Sequence, residues 1–167
     1  MTPQIHWVRD VEPVRLALLP RPRGGDWLPD EISAWDRATL ETIVCLLEPH
    51  EVRELELTEE RSLCEARGIQ LLSFPIPDRG VPASVRDTLT LVETLVSRFR
   101  RGRAAGVHCR AGIGRSGLIT ACVLLKLGVP FQEVFPILSR ARRLEVPDTL
   151  AQVAWVKALS RELAMPI

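Results

Sequence analysis

Residues 107–116 read VHCRAGIGRS and place a cysteine, two glycines and an arginine within one short stretch. A thiolate is a strong nucleophile, and Cys109 becomes one when its neighbours stabilise negative charge on sulfur. Glycines at 112 and 114 let successive backbone N–H groups face one point and form an anion-binding nest. Arg115 adds a planar fork that fits two oxygens of a phosphoryl group. The stretch therefore predicts a nucleophilic cysteine inside an anion-binding loop.

Asp78 is a second candidate for chemistry and lies in the Pro- and Gly-rich stretch FPIPDRGVP at 74–82. A carboxylic acid placed near the cysteine would protonate the oxygen that leaves when a thiolate attacks. An aspartate in a P-D-x-G sequence also often hydrogen-bonds its own turn. Taken by itself, this stretch fits both interpretations.

The elements that must position these residues alternate between short apolar strands and helical patterns, which is typical of an α/β fold. We predict a central, mixed and largely parallel sheet of four to five strands flanked by helices. The strands that can be assigned are 14–20, 42–48, 69–75 and 104–108. Cys109 then follows a buried strand directly and precedes the N-terminus of a helix, where free N–H groups favour anions.

Four helical segments are expected at 29–40, 50–68, 84–102 and 117–128. The second should break near Thr58, which can cap its latter half, and Ser84 should cap the third. The fourth is apolar nearly all round, so we expect it at the centre of the molecule.

Composition favours one globular domain, 1–167, in which residues 1–40 are the least informative part; 46% of the chain is hydrophobic and 26% charged. A net charge of +1 gives no overall attraction to nucleic acid or membranes, and no stretch is long and apolar enough for a membrane span. The four cysteines lack metal-ligand spacing, and the N-terminus lacks a signal sequence. We expect a cytoplasmic monomer without metal, nucleic-acid partner or membrane association.

Several arginines have a simpler interpretation as solvent-exposed charge. Residues 20–27 have two interpretations. They would form a lip of the cleft, with Arg21 or Arg23 facing an acidic group of the substrate, or they are a surface loop, which is the simpler interpretation. Pro136 should kink or shorten its helix. Solvated positions are expected at the end of the third predicted helix and after Pro136, for Arg98, Arg100, Arg101, Arg103, Arg140, Arg142 and Arg143.

The motif H-C-x5-R, from His108 to Arg115, resembles the signature of the cysteine-dependent protein phosphatases. The likeness covers roughly residues 40–163 and includes the P-D-x-G-V-P stretch and the final VPDTLAQVAWVKAL. In order and spacing these segments are similar to the compact dual-specificity phosphatases, above all the kinase-associated type. The resemblance implies a protein tyrosine phosphatase-like fold and a phosphorylated protein as substrate.

The resemblance also implies a role for each residue of the motif, without metal or cofactor. Cys109 would attack phosphorus to give a phosphocysteine, with Asp78 as acid in the first step and base in the second. Ser116 would hydrogen-bond the thiolate, His108 would orient the loop, and Gln152 would position water. Glu51 matches a family glutamate, although a carboxylate on a helix surface needs no special explanation. The phosphate would be bound by Arg115 and the backbone of Arg110, Ala111, Gly112, Ile113 and Gly114.

Other functions remain open at this point. Phosphotyrosine is not separated from phosphoserine or phosphothreonine, because no tyrosine-recognition motif is visible. Arg110 resembles one of the two basic loop positions of phosphoinositide phosphatases, which makes a lipid the second choice. A phosphopeptide-binding pseudophosphatase, a rhodanese or an arsenate reductase would also use such a loop, but none of them calls for the combination of Cys109, Arg115 and Asp78 in this order.

Overall fold

The computed structural model describes residues 3–164. The central sheet has five strands: His6–Trp7 (β1), Arg15–Leu19 (β2), Thr42–Cys45 (β3), Gln70–Ser73 (β4) and Ala104–His108 (β5). They lie in the order β1-β2-β5-β3-β4, with β1 antiparallel to β2 and the other neighbours parallel. The mixed, mostly parallel sheet predicted from the sequence is confirmed.

The strands differ from their predicted bounds mainly at the carboxyl edge of the sheet. β3 and β4 end at Cys45 and Ser73, whereas the apolar runs continue to 48 and 75. Leu46 and Leu47 are buried although they lie beyond the ladder, so the hydrophobic pattern overestimates the strand. β1 was not predicted, because two residues are too few to show a periodicity.

Helices cover both faces of the sheet: Leu28–Arg37 (α1), Pro49–Glu54 (α2), Glu60–Glu65 (α3), Val85–Arg100 (α4), Arg115–Lys126 (α5), Phe131–Arg142 (α6) and Leu150–Ala164 (α7). One hydrophobic cluster lies between the sheet and α4 to α7, and the other between the sheet and α1 and α3. Every residue of α5 up to Leu125 is buried, which confirms the central helix. None of the helices between residues 3 and 164 is long and apolar enough to cross a bilayer.

The two predicted helix caps have different outcomes. The Ser84 hydroxyl accepts the Asp87 backbone N–H at 3.1 Å, as expected for an N-cap. The prediction for Thr58 is wrong, because α3 begins at Glu60 without a side-chain cap. The break between α2 and α3 is held by the backbone instead, with the Glu60 N–H donating to the Leu57 carbonyl at 3.0 Å.

Two further predictions depend on local geometry. Pro136 lies inside α6, which continues to Arg142, so the proline does not shorten the helix; the kink stays a prediction. Pro136 and Gln132, whose carbonyl loses its helical donor, are both exposed, so water can take the missing position. Arg98 is not a solvated cap of α4: its guanidinium donates to the Thr42 hydroxyl at 2.5 Å and to the Gln70 side chain, and so ties the helix to the edge of the sheet.

Candidate active site

The loop after β5, residues 109–114 and here called the Cys109 loop, curls at the carboxyl edge of the sheet in front of α5. Gly112 has a φ of +73°, a left-handed conformation that favours glycine. A Cβ there would lie 2.5 Å from the Leu19 carbonyl oxygen, so the close approach of β2 also requires glycine. The tight loop and the buried α5 together point backbone N–H groups inward.

Cys109 lies at the bottom of this loop, with only 3% of its surface exposed. Its Sγ is 3.0 Å from the Ser116 hydroxyl oxygen. Burial by itself would raise the pKa of Cys109, but hydrogen bonds from the Ser116 side chain and from the backbone N–H groups of Ser116, Gly112 and Ile113 lower it below its ordinary value. The Cys109 sulfur therefore lies among hydrogen-bond donors, and its role as a nucleophile stays a prediction.

Three successive carbonyls of the Cys109 loop each have a polar neighbour that belongs to a residue outside the loop. The Cys109 carbonyl lies 3.2 Å from the His108 ring Nδ1. The Arg110 carbonyl accepts from the Arg21 backbone N–H, and the Ala111 carbonyl from the Arg142 guanidinium, both at 3.0 Å. Arg142 is thus not on a solvated face, as its sequence suggested.

His108 is fully buried behind the loop, and its Nε2 lies 2.6 Å from a Glu60 carboxylate oxygen. Burial opposes protonation, but the Glu60 carboxylate and the Cys45 thiol raise the pKa of His108 well above its usual value. His108 and Glu60 thus form a buried, directly contacting pair behind the loop. The Cys45, Glu60 and His108 ligand atoms all lie within 4.8 Å of one another, but Glu60 and His108 already satisfy each other as an ion pair.

Arg115 begins α5 and is almost fully buried, and its guanidinium forms the junction of the site. It donates to both Glu51 carboxylate oxygens, at 2.7 and 3.0 Å. It also donates to the Ile76 carbonyl at 3.0 Å and to the Asp78 carboxylate at 3.2 Å. The fork is therefore fixed in position by Glu51 and contacts the carboxylate proposed as the acid.

Glu51 is the residue that the sequence interpretation missed most clearly. It is 1% exposed rather than on a solvated helix surface. Burial would raise its pKa, but Arg115, the Glu48 backbone N–H and Arg110 lower the pKa of Glu51 to about 2. A signal was present, since Glu48 and Glu51 flank Pro49 as a reciprocal capping box that starts α2 next to the Cys109 loop.

Asp78 occupies the tip of residues 74–82, here called the Asp78 loop, and its side chain is 60% exposed. The base of the loop is held by the Ile76 N–H, which donates to the Leu46 carbonyl at 3.0 Å. At the tip, Arg79 adopts a φ of 57°, and the Gly80 N–H closes a turn on the Pro77 carbonyl at 2.8 Å. Asp78 is thus linked to the end of the Cys109 loop by its hydrogen bond from Arg115, and its side chain stays accessible to solvent.

Gln152 lies at the start of α7 and is buried beneath the Asp78 loop. Its amide Nε2 donates to the Gly80 carbonyl at 3.1 Å, and its Oε1 accepts the Thr149 N–H at 3.3 Å. The structure therefore brings Gln152 to the site as a tether between α7 and the Asp78 loop. Its role in positioning water stays a prediction.

Two further arginines near the cleft, Arg110 and Arg23, are engaged by carboxylates, whereas the Arg21 guanidinium donates to the Pro22 carbonyl at 3.2 Å. Arg110 donates to Glu51 at 2.8 Å and to Glu54 at 3.3 Å. Arg23 pairs with Glu31 and stacks on the Trp27 ring, with 4.5 Å from its guanidinium carbon to the ring centroid. This contact makes Arg23 part of the structure of the 20–27 lip.

A mixed five-stranded sheet with a cysteine loop feeding a buried central helix is the arrangement of the protein tyrosine phosphatase class. Residues 5–162 match the family model described as PTP-SAK, Swiss Army Knife protein, DSP-PTPase phosphatase domain. The chain belongs to this family, which confirms the resemblance drawn from the H-C-x5-R motif.

Individual relatives agree with this assignment. The chain is 31% identical over 96 residues to the mouse protein tyrosine phosphatase type IVA 2, a match that covers 55% of this chain and 56% of the relative. It is 30% identical over 104 residues to the rat cyclin-dependent kinase inhibitor 3, covering 61% of this chain and 49% of that protein. The chain thus spans about half the length of these curated relatives.

Two solved structures show the same fold over nearly the whole chain. The kinase associated phosphatase, solved with its catalytic cysteine replaced by serine, superposes with a TM-score of 0.88 at 20% identity and covers 100% of this chain and 99% of its own. The phosphatase Tk-PTP in its active form superposes with a TM-score of 0.79 at 26% identity and covers 96% and 99%. The protein tyrosine phosphatase-like fold is therefore established.

Proposed function

We propose that this protein hydrolyses phosphomonoesters on phosphorylated proteins through a phosphocysteine at Cys109. One observation carries the proposal: the fold brings a thiol with a lowered pKa, the Arg115 fork and the Asp78 carboxyl group to one edge of the sheet. These three groups are the nucleophile, the phosphate ligand and the acid that phosphoryl transfer to sulfur requires. Membership of the dual-specificity phosphatase family supports the same reaction.

In the first step the Cys109 sulfur attacks phosphorus, and the bond between phosphorus and the substrate oxygen breaks. The backbone N–H groups of the Cys109 loop and the Arg115 fork hold the remaining phosphate oxygens. Because the Arg115 guanidinium also donates to Asp78, an arriving phosphate competes for the fork and releases Asp78 toward the leaving oxygen. Asp78 then donates its proton to that oxygen, and the dephosphorylated hydroxyl departs.

In the second step water attacks the phosphocysteine. Asp78, now ionised, takes a proton from the water, while the bond between sulfur and phosphorus breaks and inorganic phosphate forms. The Ser116 hydroxyl, 3.0 Å from the sulfur, stabilises the departing thiolate. Gln152 is proposed to help position the water once its bond to the Gly80 carbonyl loosens.

Phosphotyrosine is the expected substrate, with phosphoserine and phosphothreonine as an extension. A phosphoinositide is less favoured, because the Arg110 guanidinium is engaged by Glu51 and Glu54 and does not project as an open lipid-binding charge. A pseudophosphatase is less favoured, because Cys109, Arg115 and Asp78 occur together and the proposed reaction needs all three.

We further propose that the protein acts as a monomer in the cytoplasm. The four cysteines are free and buried, as in proteins of reducing compartments. Among residues 3–164 four large hydrophobic side chains are exposed, Trp27, Val85, Leu144 and Leu150, and so small a number is compatible with a monomer. Light scattering of the purified protein tests the monomer.

Turnover of an aryl phosphate in the presence of a chelator tests the reaction. We expect hydrolysis that vanadate inhibits, and no sulfur transfer from thiosulfate to cyanide. Binding of phosphotyrosyl peptides without turnover would instead define a pseudophosphatase. A panel of phosphotyrosyl and phosphothreonyl peptides and phosphoinositides then ranks the substrates, and a clear preference for the lipid would reverse the order given above.

A further inference from the structure

Arg142 is the last residue of α6 and reaches the Cys109 loop from outside the motif. Its guanidinium donates to the Ala111 carbonyl at 3.0 Å. Its Nε is buried and, within the described part of the chain, has no hydrogen-bond partner. Burying this N–H donor without an acceptor costs free energy, because the group loses its hydrogen bond to water. Burial also lowers the pKa of Arg142. The contact to Ala111 is therefore its main polar interaction with the loop.

The position of this contact in the backbone is informative. The Ala111 carbonyl and the Gly112 N–H belong to one peptide unit, which is trans. In a trans peptide the C=O and N–H bonds point in opposite directions. A guanidinium that holds the Ala111 carbonyl outward therefore turns the Gly112 N–H inward, toward the Cys109 sulfur, where it donates.

Gly112 is also the place where the loop has most freedom to change. Its positive φ lies in a region that glycine enters and leaves without steric cost, so rotation of the Ala111–Gly112 peptide is opposed mainly by its two hydrogen bonds. The neighbouring carbonyl of Arg110 is held by the Arg21 backbone and that of Cys109 lies next to the buried His108 ring. The Ala111 carbonyl is the one of the three that depends on a long side chain from another helix.

We propose that Arg142 is a positioning residue for the nucleophile, acting through the Ala111–Gly112 peptide to aim the Gly112 N–H at the Cys109 sulfur. The inference rests on the proposed function of Cys109 and names a residue outside the H-C-x5-R motif that this function needs. Arg142 contacts neither substrate nor the reacting atoms. Its positive charge, placed beside the Cys109 loop by the contact to Ala111, also favours a negative charge on the sulfur.

The experiment compares Arg142→Met with Arg140→Met. Methionine keeps an apolar stem on α6 but removes the donor, and Arg140 lies on the same helix, exposed and paired with Asp10 at 2.6 Å. The first readout is the rate of Cys109 alkylation by iodoacetamide as a function of pH, and the second is the affinity for vanadate. Other charges that face Cys109 are unchanged in both variants: Arg115 with Glu51 and Asp78, and His108 with Glu60.

We expect Arg142→Met to alkylate about tenfold more slowly at pH 6, to shift its alkylation profile to higher pH, and to bind vanadate about tenfold more weakly, as expected when a charged hydrogen bond is lost. Added guanidinium ion should restore part of the rate. Arg140→Met should match the wild type. Equal alkylation profiles and vanadate affinities for the two variants would overturn the proposal.

Folding of the variants is checked by circular dichroism. If Arg142→Met does not fold, Arg142→Gln replaces it, because glutamine is polar but too short to reach the Ala111 carbonyl. Failure of both to fold would assign Arg142 to the stability of the fold and overturn the positioning role. Alkylation and vanadate binding do not need turnover, so a wild type that shows both but hydrolyses no phosphate would contradict the proposed function and leave this inference intact.

Discussion

The Cys109 loop and the Asp78 loop meet at Arg115, but they are held in different ways. Cys109 and Ser116 are buried, and the carbonyls of Cys109, Arg110 and Ala111 contact His108 at the end of β5, the Arg21 backbone just after β2, and Arg142 of α6. The Asp78 loop is anchored at Ile76, whereas its tip at 77–79 is exposed and is linked to the site by the Arg115 contact and by Gln152 through Gly80.

The difference matches the different tasks of the two loops. A nucleophile stabilised by backbone N–H groups must have those groups fixed before substrate arrives, because their reorientation would cost energy in the transition state. An acid must approach the leaving group and later a water molecule, so it needs some freedom. We therefore expect changes in the Cys109 loop to abolish turnover. Changes around Asp78 should reduce the turnover rate by an amount that depends on the leaving group.

The largest effect is expected for Cys109→Ser. Serine keeps the Arg115 fork and the loop N–H groups but replaces a thiolate by a hydroxyl that is not ionised at neutral pH. Turnover of an aryl phosphate should fall below detection, while binding of a phosphotyrosyl peptide, measured by calorimetry, is retained. Cys64→Ser, which alters a buried thiol of α3 away from the loop, serves as the control. Wild-type turnover by Cys109→Ser would move the nucleophile elsewhere.

Asp78→Asn should reduce the turnover rate without abolishing it, and the reduction should depend on the leaving group. Loss of the acid should slow phosphotyrosyl peptides by about 10²–10⁴-fold, and activated aryl phosphates much less, because a good leaving group departs without a proton. Rates are compared across aryl phosphates of increasing leaving-group pKa, with Asp30→Asn, an exposed position in α1, as the control. If the mutant and wild type show the same dependence on the leaving group, Asp78 is only a turn residue.

Glu51→Gln tests the junction between the two loops. The change places a neutral amide against the buried Arg115 guanidinium in place of the Glu51 carboxylate. This should lower the free energy of unfolding by about 3–5 kcal/mol and reduce kcat/KM. Glu54→Gln, on the same helix and 63% exposed, should have little effect on either. Glu51→Gln with normal stability and kinetics would show that the pair does not hold the fork.

The same pair predicts a dependence of stability on pH. The folded state lowers the pKa of Glu51 from 4.5 to about 2. Its contribution to stability is therefore complete above pH 4.5 and is lost as the pH falls toward 2. Urea unfolding across this range should show a slope in the wild type that is reduced in Glu51→Gln; parallel curves would argue against the ion pair.

The smallest effect is expected for Gln152→Ala. It removes the bond to the Gly80 carbonyl and one contact at the start of α7, a loss of about 1 kcal/mol or about fivefold in rate. Because the tether holds the Asp78 loop, poor leaving groups should be affected more than activated ones. The exposed Gln132 of α6 provides the matched control Gln132→Ala. An equal loss of rate with all leaving groups would show that Gln152 does not act through the Asp78 loop.

The sequence predicted the parts of the site that are local in the chain. Cys109, the two glycines, Arg115 and Ser116 follow one another between a strand and a helix, so their types and order define the loop. The carboxyl ends of parallel strands share one edge, and this places Asp78 beside that loop. The α/β class followed from the same kind of local pattern, whereas the order of the strands in the sheet was not predicted.

Contacts between distant segments were not predictable in this way. Glu51 resembles any other acidic residue of a short helix, and only the tertiary fold shows that it is buried on Arg115. Arg142 looked like part of a solvated basic face, because the periodicity of α6 does not show what packs at its end. Pro136 predicted a kinked or shortened helix, but its exposed position lets the helix continue to Arg142.

The phosphocysteine is the central claim, and trapping it is the most direct test. Wild type and Asp78→Asn are mixed with an activated aryl phosphate, quenched in acid within milliseconds and digested, and the peptides are examined by mass spectrometry. The account predicts one phosphoryl group on the peptide of Cys109, at a higher level in Asp78→Asn because the second step lacks its base. Turnover without phosphate on Cys109, or phosphate on a different residue, would contradict it.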